Sequence, residues 1–418
     1  MKKILVLSFY YPPSSKASMH WPLKMAELLP NFGWEPVILT VDEDVVSAIE
    51  NRGNLDTNTI LRTGFWDVFK IYKKFIGKKS EESLSVSETI SNTNASFTQR
   101  LSLWIRMNLF IPDARIGWYF PAVKKASNFI KKNKIDLILT NGPPHSTHLI
   151  GKKLSKKFKI PLAAMFIDPW VDISYYKGHK RNKLTVLLDN YLERKVVEHS
   201  SKMFFVTKGL VKYYSKKYPA AANKSNLIYW GYNEKDFEGL KRERSENYKV
   251  IVHAGNLYDH QNPEIFWQQL KEKISSGEKL RMRFIGTQGP AVKQSIIKFG
   301  LENHTEYLGY LPYKEVLQEI INADYLMMCV AEERHIPGKL FEYLRSGNPI
   351  IAFGDHSSEV EVILRESNSG NLYSYTETGI DYFKDLLNIK PNCEHVKKYS
   401  REELIKQIAV ELDSILNN

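Results

Sequence analysis

The chain has 418 residues, 43% of them hydrophobic and 25% charged. That balance excludes a wholly disordered chain, and the length exceeds what one hydrophobic core usually supports, so two domains are expected. The two cysteines, Cys329 and Cys393, stand far apart without metal-ligand spacing, which excludes a disulfide framework and suits a reducing compartment. Net charge is +12 but unevenly placed: residues 1–228 carry 36 Lys and Arg against 18 Asp and Glu, a net of +18, whereas residues 229–418 carry 23 against 29, a net of −6. A basic half suits an anionic membrane face or a phosphorylated substrate. Nucleic acid is not expected, because no recognisable reading motif accompanies the charge.

In chain order, "MKKILVLSFYYPP" reads as a first buried strand rather than a signal peptide, since its apolar run is rich in aromatics, meets Pro12-Pro13 early and lacks a small-residue cleavage site. No apolar stretch is long enough to span a bilayer. After "EPVILTV", residues 50–110 form an insertion. Within it "FWDVFKIYKKFIGKK" places apolar residues at helical spacing beside lysines, residues 80–97 are rich in Ser, Thr and Asn, and "RLSLWIRMNLF" follows. Either amphipathic segment could lie on an anionic bilayer or merely cover the first domain's core. The runs "IDLILTN", "PLAAMFID" and "KMFFVTK" continue the first set of strands. The polar stretch 229–249 then connects to "YKVIVHAG", "RMRFIGT", "TEYLGY", "DYLMMCV" and "NPIIAFG". Continuous apolarity with helices between predicts parallel strands buried on both faces, hence an α/β chain of two doubly wound domains, 1–228 and 229–395. Ligands in such sheets sit beyond the carboxyl ends of the strands, so the informative residues should follow strands.

The segment Glu332 to Ile351, "EERHIPGKLFEYLRSGNPII", does so. Pro337 suits a helix entrance, Gly338 would let the backbone approach a ligand, and Lys339 adds a cation where a helix start favours phosphate. One turn on, Glu342 could accept hydrogen bonds from a vicinal diol such as a ribose. In the first half, Asp168 ends a strand and could accept a hydroxyl proton, or simply cap the following turn. His145 and His148 in "NGPPHSTHL" could orient phosphate or sugar, or be surface hydrogen-bonders. P-loop, dinucleotide, zinc-peptidase and nucleophile-elbow signatures are absent. Asp42-Glu43-Asp44 mimics a metal-binding DxD but reads as an acidic surface segment, so no catalytic metal is expected.

"IPGKLFEYLRSGNPII" resembles the nucleotide-binding segment of retaining, family-4-type glycosyltransferases of the GT-B fold. "FYYPPSSKASMHWPLKMAELLPNFGWEPVILT", "FIDPW", "LIYWGYNEKDF", "HAGNL", "FIGTQGP" and "YLGYLPYKEVLQEIINADYLMMCV" resemble their other segments in the expected order. The resemblance implies two Rossmann-like domains facing across a cleft, with residues 396–418 a helix crossing back to the first domain. It implies donor contacts from Gly255, Asn256, Gly286, Gly309 and Tyr310, and from Glu333, Arg334, Pro337, Gly338, Lys339, Leu340 and Glu342. Asp168 and His145 would be catalytic, and Ser15, Lys16, His20, His148 and Trp170 would lie on the acceptor side. The family's Glu-x7-Glu becomes Arg334 to Glu342 here, with acids at Glu332 and Glu333, and its usual Arg and Lys become Asn256 and Asn262. Diphosphate neutralisation should therefore fall to Lys339, helix dipoles or Arg334. The implied function is metal-independent transfer, without a cofactor, from a UDP- or GDP-sugar to a lipid-linked glycan at the inner membrane face, in capsule or O-antigen assembly. The alternatives are a non-catalytic scaffold subunit and a nucleotide-sugar epimerase of the same fold.

Overall fold

The computed structural model describes residues 1–14, 16–45, 59–67, 97–173, 181–330, 336–356 and 358–417. The chain divides into two compact units, one formed by Met1–Val206, Leu210–Ile228 and Ile405–Asn418, the other by Thr207–Gly209 and Tyr229–Leu404. Both are Rossmann-like α/β units built on wholly parallel sheets.

The first sheet contains β1 (Lys2–Leu7), β2 (Trp34–Val41), β3 (Thr59–Thr63), β4 (Leu137–Gly142), β5 (Leu162–Phe166), β6 (Lys202–Phe205) and β7 (Ser225–Leu227), in the order β3-β2-β1-β4-β5-β6-β7. Strand order reverses between β1 and β4, where Ile4 pairs with Leu137 and Leu7 with Thr140. Helices α1 (His20–Leu28), α2 (Phe97–Asn108), α3 (Tyr119–Ile130), α4 (Ser146–Phe158), α5 (Lys183–His199) and α6 (Lys208–Lys217) alternate with the strands. Trp118, fully buried, ties three segments together: its indole N–H donates to Thr63 Oγ1 at 2.8 Å and its ring meets Phe9 edge-on at 5.5 Å. Burying a side chain of that size stabilises by roughly 2–3 kcal/mol. Lys202–Glu411 and Lys2–Asp413 ion pairs hold the chain's final turns to this unit.

The second sheet contains β8 (Lys249–Ala254), β9 (Leu280–Ile285), β10 (Thr305–Gly309), β11 (Tyr325–Cys329), β12 (Ile350–Phe353) and β13 (Gly370–Tyr373), in the order β10-β9-β8-β11-β12-β13. Its helices are α7 (Glu264–Ser275), α8 (Pro290–Lys298), α9 (Tyr313–Asn322), α10 (Lys339–Ser346), α11 (Glu359–Glu366), α12 (Tyr382–Leu386) and α13 (Cys393–Val396), followed by α14 (Arg401–Leu416). Val250, Val252, Leu326, Met328, Ile350 and Ala352 enter one core cluster, and the intervening Ile251, Met327 and Ile351 enter another. Side chains of a strand alternate in direction, so two cores fed by one strand mean a sheet covered on both faces. The continuous apolar runs of the sequence have this origin. Strand order reverses here between β8 and β11.

Candidate active sites at the two switch points

In the second unit β8, β9 and β10 each end in a glycine with positive φ: Gly255 (+104°), Gly286 (+99°) and Gly309 (+66°). A Cβ on Gly286 would lie 2.9 Å from the carbonyl of Gly255, so these two turns touch backbone to backbone. Beside them Asn256 Oδ1 accepts from the Thr287 amide (3.2 Å) and hydroxyl (2.9 Å) and from the Tyr310 hydroxyl (3.2 Å). Three donors on the oxygen fix the amide's orientation, and its NH2 is left as an exposed donor.

Lys339, the first residue of α10, reaches the same place from β11. His253, fully buried, sits with Nδ1 3.1 Å from the Met327 carbonyl, which only accepts, so Nδ1 carries the proton and Nε2 a lone pair. The Lys339 ammonium donates to that Nε2 at 3.2 Å. Burial, then the adjacent ammonium, holds the His253 pKa well below the usual value, so the imidazole stays neutral. Burial likewise lowers Lys339 to about 8. No carboxylate lies within ion-pair distance of this cation among the described residues. Glu342 acts on it only from beyond ion-pair distance, so this partly exposed ammonium keeps a charge that an anionic ligand would meet.

The first unit treats its switch point differently. Beyond β4, His145 lies flat on Trp170, with centroids 5.2 Å apart and planes 7° from parallel, and His148 stacks on Phe166 at 4.4 Å. His148 Nδ1 is 2.8 Å from Thr140 Oγ1, and its Nε2 has no partner among the described residues. Burial lowers His145 to about 3 and takes His148 well below its ordinary value. The start of α4 is capped by Asp113, whose carboxylate accepts from the Ser146 amide (2.8 Å) and hydroxyl (3.0 Å) and the Arg115 amide (2.9 Å). Asp168, just past β5 and partly exposed, makes no hydrogen bond or ion pair among the described residues, and burial raises its pKa to about 6. An unpartnered carboxyl with that pKa can take or release a proton near neutrality.

Residues 235–403 match the family of glycosyl transferases group 1. Protein CapJ of Staphylococcus aureus is 23% identical over 218 residues, and the match spans about half of each protein, 49% of this chain and 50% of CapJ. Among solved structures, sucrose-phosphate synthase of Thermosynechococcus elongatus superposes with a TM-score of 0.62 at 12% identity, covering 100% of each chain. HepE of Anabaena, solved with UDP and glucose, superposes with a TM-score of 0.61 at 14% identity, covering 99% of this chain and 100% of HepE. The fold is GT-B.

Of the residues singled out in the GT-B sequence, Gly255, Asn256, Gly286, Gly309, Tyr310 and Lys339 converge around the second switch point. Others need correction. Gly338 is a glycine because of Trp230, whose indole lies 2.8 Å from where its Cβ would stand, so close packing within the unit, rather than ligand approach, explains it. Leu340 and Pro337, expected as donor contacts, are buried, and the Leu340 amide donates to the Pro337 carbonyl at 2.9 Å. Trp170, expected on the acceptor side, is 1% exposed and donates its indole N–H to Asp189 at 2.6 Å, so it braces the pocket from within. Glu342 Oε1 already accepts from the Tyr313 hydroxyl at 2.6 Å, leaving Oε2 for a ligand.

His145, in the turn before α4, and His148, in its first turn, are buried and not surface groups. They lie within the pocket wall, and a histidine whose pKa is about 3 is a weak proton acceptor, so of the two expected catalytic residues Asp168 is the better suited. Lys16 is exposed and His20 opens α1. Ser15, Glu333 and Arg334 lie outside the described residues, as do Glu332 and residues 68–96 of the insertion. Asn262 is committed internally, its amide bridging Ser295 (2.8 Å) and Trp267 (2.7 Å). Glu43 pairs with Arg62 at 2.9 Å, and among the described residues no group of three or more His, Cys, Asp or Glu converges as for a metal ion. No described helix is long and apolar enough to cross a membrane. Sequence reasoning missed His253, Thr287 and Asp113. A histidine within the apolar "VIVHAG" looks like core, and only the pairing of β8 with β11 brings it to Lys339.

Proposed function

We propose that the chain is a glycosyltransferase moving a sugar, with retention of configuration, from a nucleoside-diphosphate sugar held by the second unit to an acceptor hydroxyl presented by the first. One observation carries this reading: Lys339, positioned by a neutral His253 beside the Gly255 and Gly286 turns, is a partly exposed cation with no carboxylate in ion-pair reach among the described residues. A diphosphate supplies what that place lacks. Lys339 and the Asn256 NH2 would meet the charge that develops on the leaving group without a metal, and Glu342 Oε2 would take the ribose diol. The group 1 match over residues 235–403 and the UDP, glucose and UDP-glucose complexes of HepE support a UDP-type donor.

Asp168 would receive the acceptor proton. CapJ similarity and the net of +18 over residues 1–228 support a lipid-linked glycan acceptor in surface polysaccharide assembly, with the chain cytoplasmic and peripheral at the inner membrane face. Titration calorimetry with UDP and with GDP, followed by transfer assays and NMR of the product's anomeric proton, tests the reading. Binding of one nucleotide and a retained configuration are expected. Indifference to both nucleotides would end the enzymatic reading, and an inverted product would end retention.

A further inference from the structure

Helix α5 is turned inside out. Its buried face carries Thr185, Asp189, Glu193, Val196 and Val197. Asp189 pairs with Arg181 and the Trp170 indole, while Glu193 accepts from the Tyr214 and Tyr218 hydroxyls (2.6 Å each) and Lys217 (2.7 Å). The leucines point the other way: Leu184, Leu187, Leu188 and Tyr191 are 79%, 66%, 46% and 50% exposed. Their i, i+3, i+4, i+7 spacing makes one continuous stripe. A contiguous apolar row on a helix whose Asp189 and Glu193 face inward marks a docking face.

The charge around the row identifies what it meets. Arg194 and Lys195 follow Tyr191 and stand 5.9 and 5.8 Å from its ring. At the helix end a shallow, open surface groove is lined by Ser155, Lys156, Lys159 and His199 among others, with the Ser155 hydroxyl 2.8 Å from His199 Nε2. Burial, and then repulsion from Lys156 and Lys195, lowers the pKa of neighbouring Lys152. The acid in this group is Glu198, shared by Arg194 (3.7 Å) and Lys195 (2.8 Å). At the other end Asn108 accepts from Thr185 Oγ1 (2.9 Å) and the Asn182 amide (2.6 Å), setting the 61% exposed Leu109 beside the first turn of α5.

We propose that this face of α5 lies on an anionic lipid bilayer, its leucine row in the boundary between headgroups and acyl chains and the Lys152, Lys156 and Lys159 group against lipid phosphates. The inference rests on the membrane-surface reading of the acceptor above and assigns the contact to residues that reading does not name. A second copy of the chain fits less well, because a twofold contact sets the same cations against each other.

Flotation of the full-length chain with vesicles of phosphatidylglycerol and phosphatidylcholine, and with phosphatidylcholine alone, tests it. Wild type should float with the anionic vesicles. The pairs Leu187→Ser with Leu188→Ser, and Lys156→Ala with Lys159→Ala, should each weaken that binding about tenfold or more, since a basic residue near such a surface contributes ~1 kcal/mol and a buried leucine more. UDP calorimetry on the same proteins should be unchanged, which separates a lost docking face from a lost donor site. A chain that floats but binds no nucleotide upholds the docking face while ending the transferase reading. Equal flotation of wild type and leucine variant, no flotation of wild type, or a wild-type dimer dissolved by the leucine pair would overturn the proposal.

Discussion

The two switch points share a topology and handle charge in opposite ways. In the second unit the strands end in glycines of positive φ, the turns touch through backbone, and the cation opening α10 has no acid within ion-pair reach among the described residues. In the first unit aromatic rings and neutral histidines fill the space beyond the strands, and the protein's own Asp113 occupies the start of α4. A helix start beyond a parallel sheet is thus a seat for an outside anion only where the chain supplies none of its own. In the first unit the partly exposed Asp168 is instead desolvated beside that aromatic packing, which raises its pKa to about 6.

That contrast is broken most severely at Asp168. Asp168→Asn keeps the shape and removes the proton acceptor, so kcat should fall by about 10²–10⁴ while UDP affinity, measured by calorimetry, stays as in wild type. The pH dependence has a defined sign. With the free carboxyl at about 6, kcat/KM of wild type should drop as pH falls through that value, because the acceptor form is the ionised one. A variant as active as wild type would reduce Asp168 to a turn residue.

Lys339→Met sharpens the comparison from the other side. Loss of a charge-assisted contact of about 1.5–3 kcal/mol should weaken UDP binding roughly 10- to 100-fold. Relief of a desolvated charge and loss of the donor to the buried His253 Nε2 oppose each other, so the melting temperature should change little. In wild type, affinity should decline above about pH 8, since the diphosphate needs the protonated amine and the free protein loses that proton near 8. A melting temperature that falls with unaltered UDP affinity would mean that Lys339 is a structural residue.

What the sequence revealed followed from local pattern. Unbroken apolar runs marked strands covered on both faces, and the Pro337-Gly338-Lys339 segment after one of them pointed to the second site, whereas the glycines after "VIVHA", "RMRFI" and "EYL" were implied by the resemblance alone. What stayed hidden depended on contacts between distant segments. Trp230 fills the space that makes Gly338 necessary, Asp113 caps a helix that follows it only after α3 and β4, and Trp170 is held inward by Asp189 on the next helix. The inverted pattern of "KLTVLLDNYLERKVVEH" is misleading in isolation, because helical periodicity tells which residues share a face and nothing in it tells which face is inside.

The smallest effect separates two reasons for a glycine. Gly277 has φ +101° with nothing within 4 Å of a built Cβ, whereas Gly286 has φ +99° with the Gly255 carbonyl at 2.9 Å. Alanine at either position meets similar backbone strain, about 1–2 kcal/mol. At Gly286 the methyl must also push the neighbouring turn aside, adding about 1 kcal/mol or more of overpacking. Urea denaturation of Gly277→Ala and Gly286→Ala should therefore differ by that increment, and UDP binding should weaken in the second alone, because Gly255 lies against Lys339. Equal losses in both variants would mean that the Gly255 turn yields freely, and the touching strand ends would then have no part in shaping the seat for the anion.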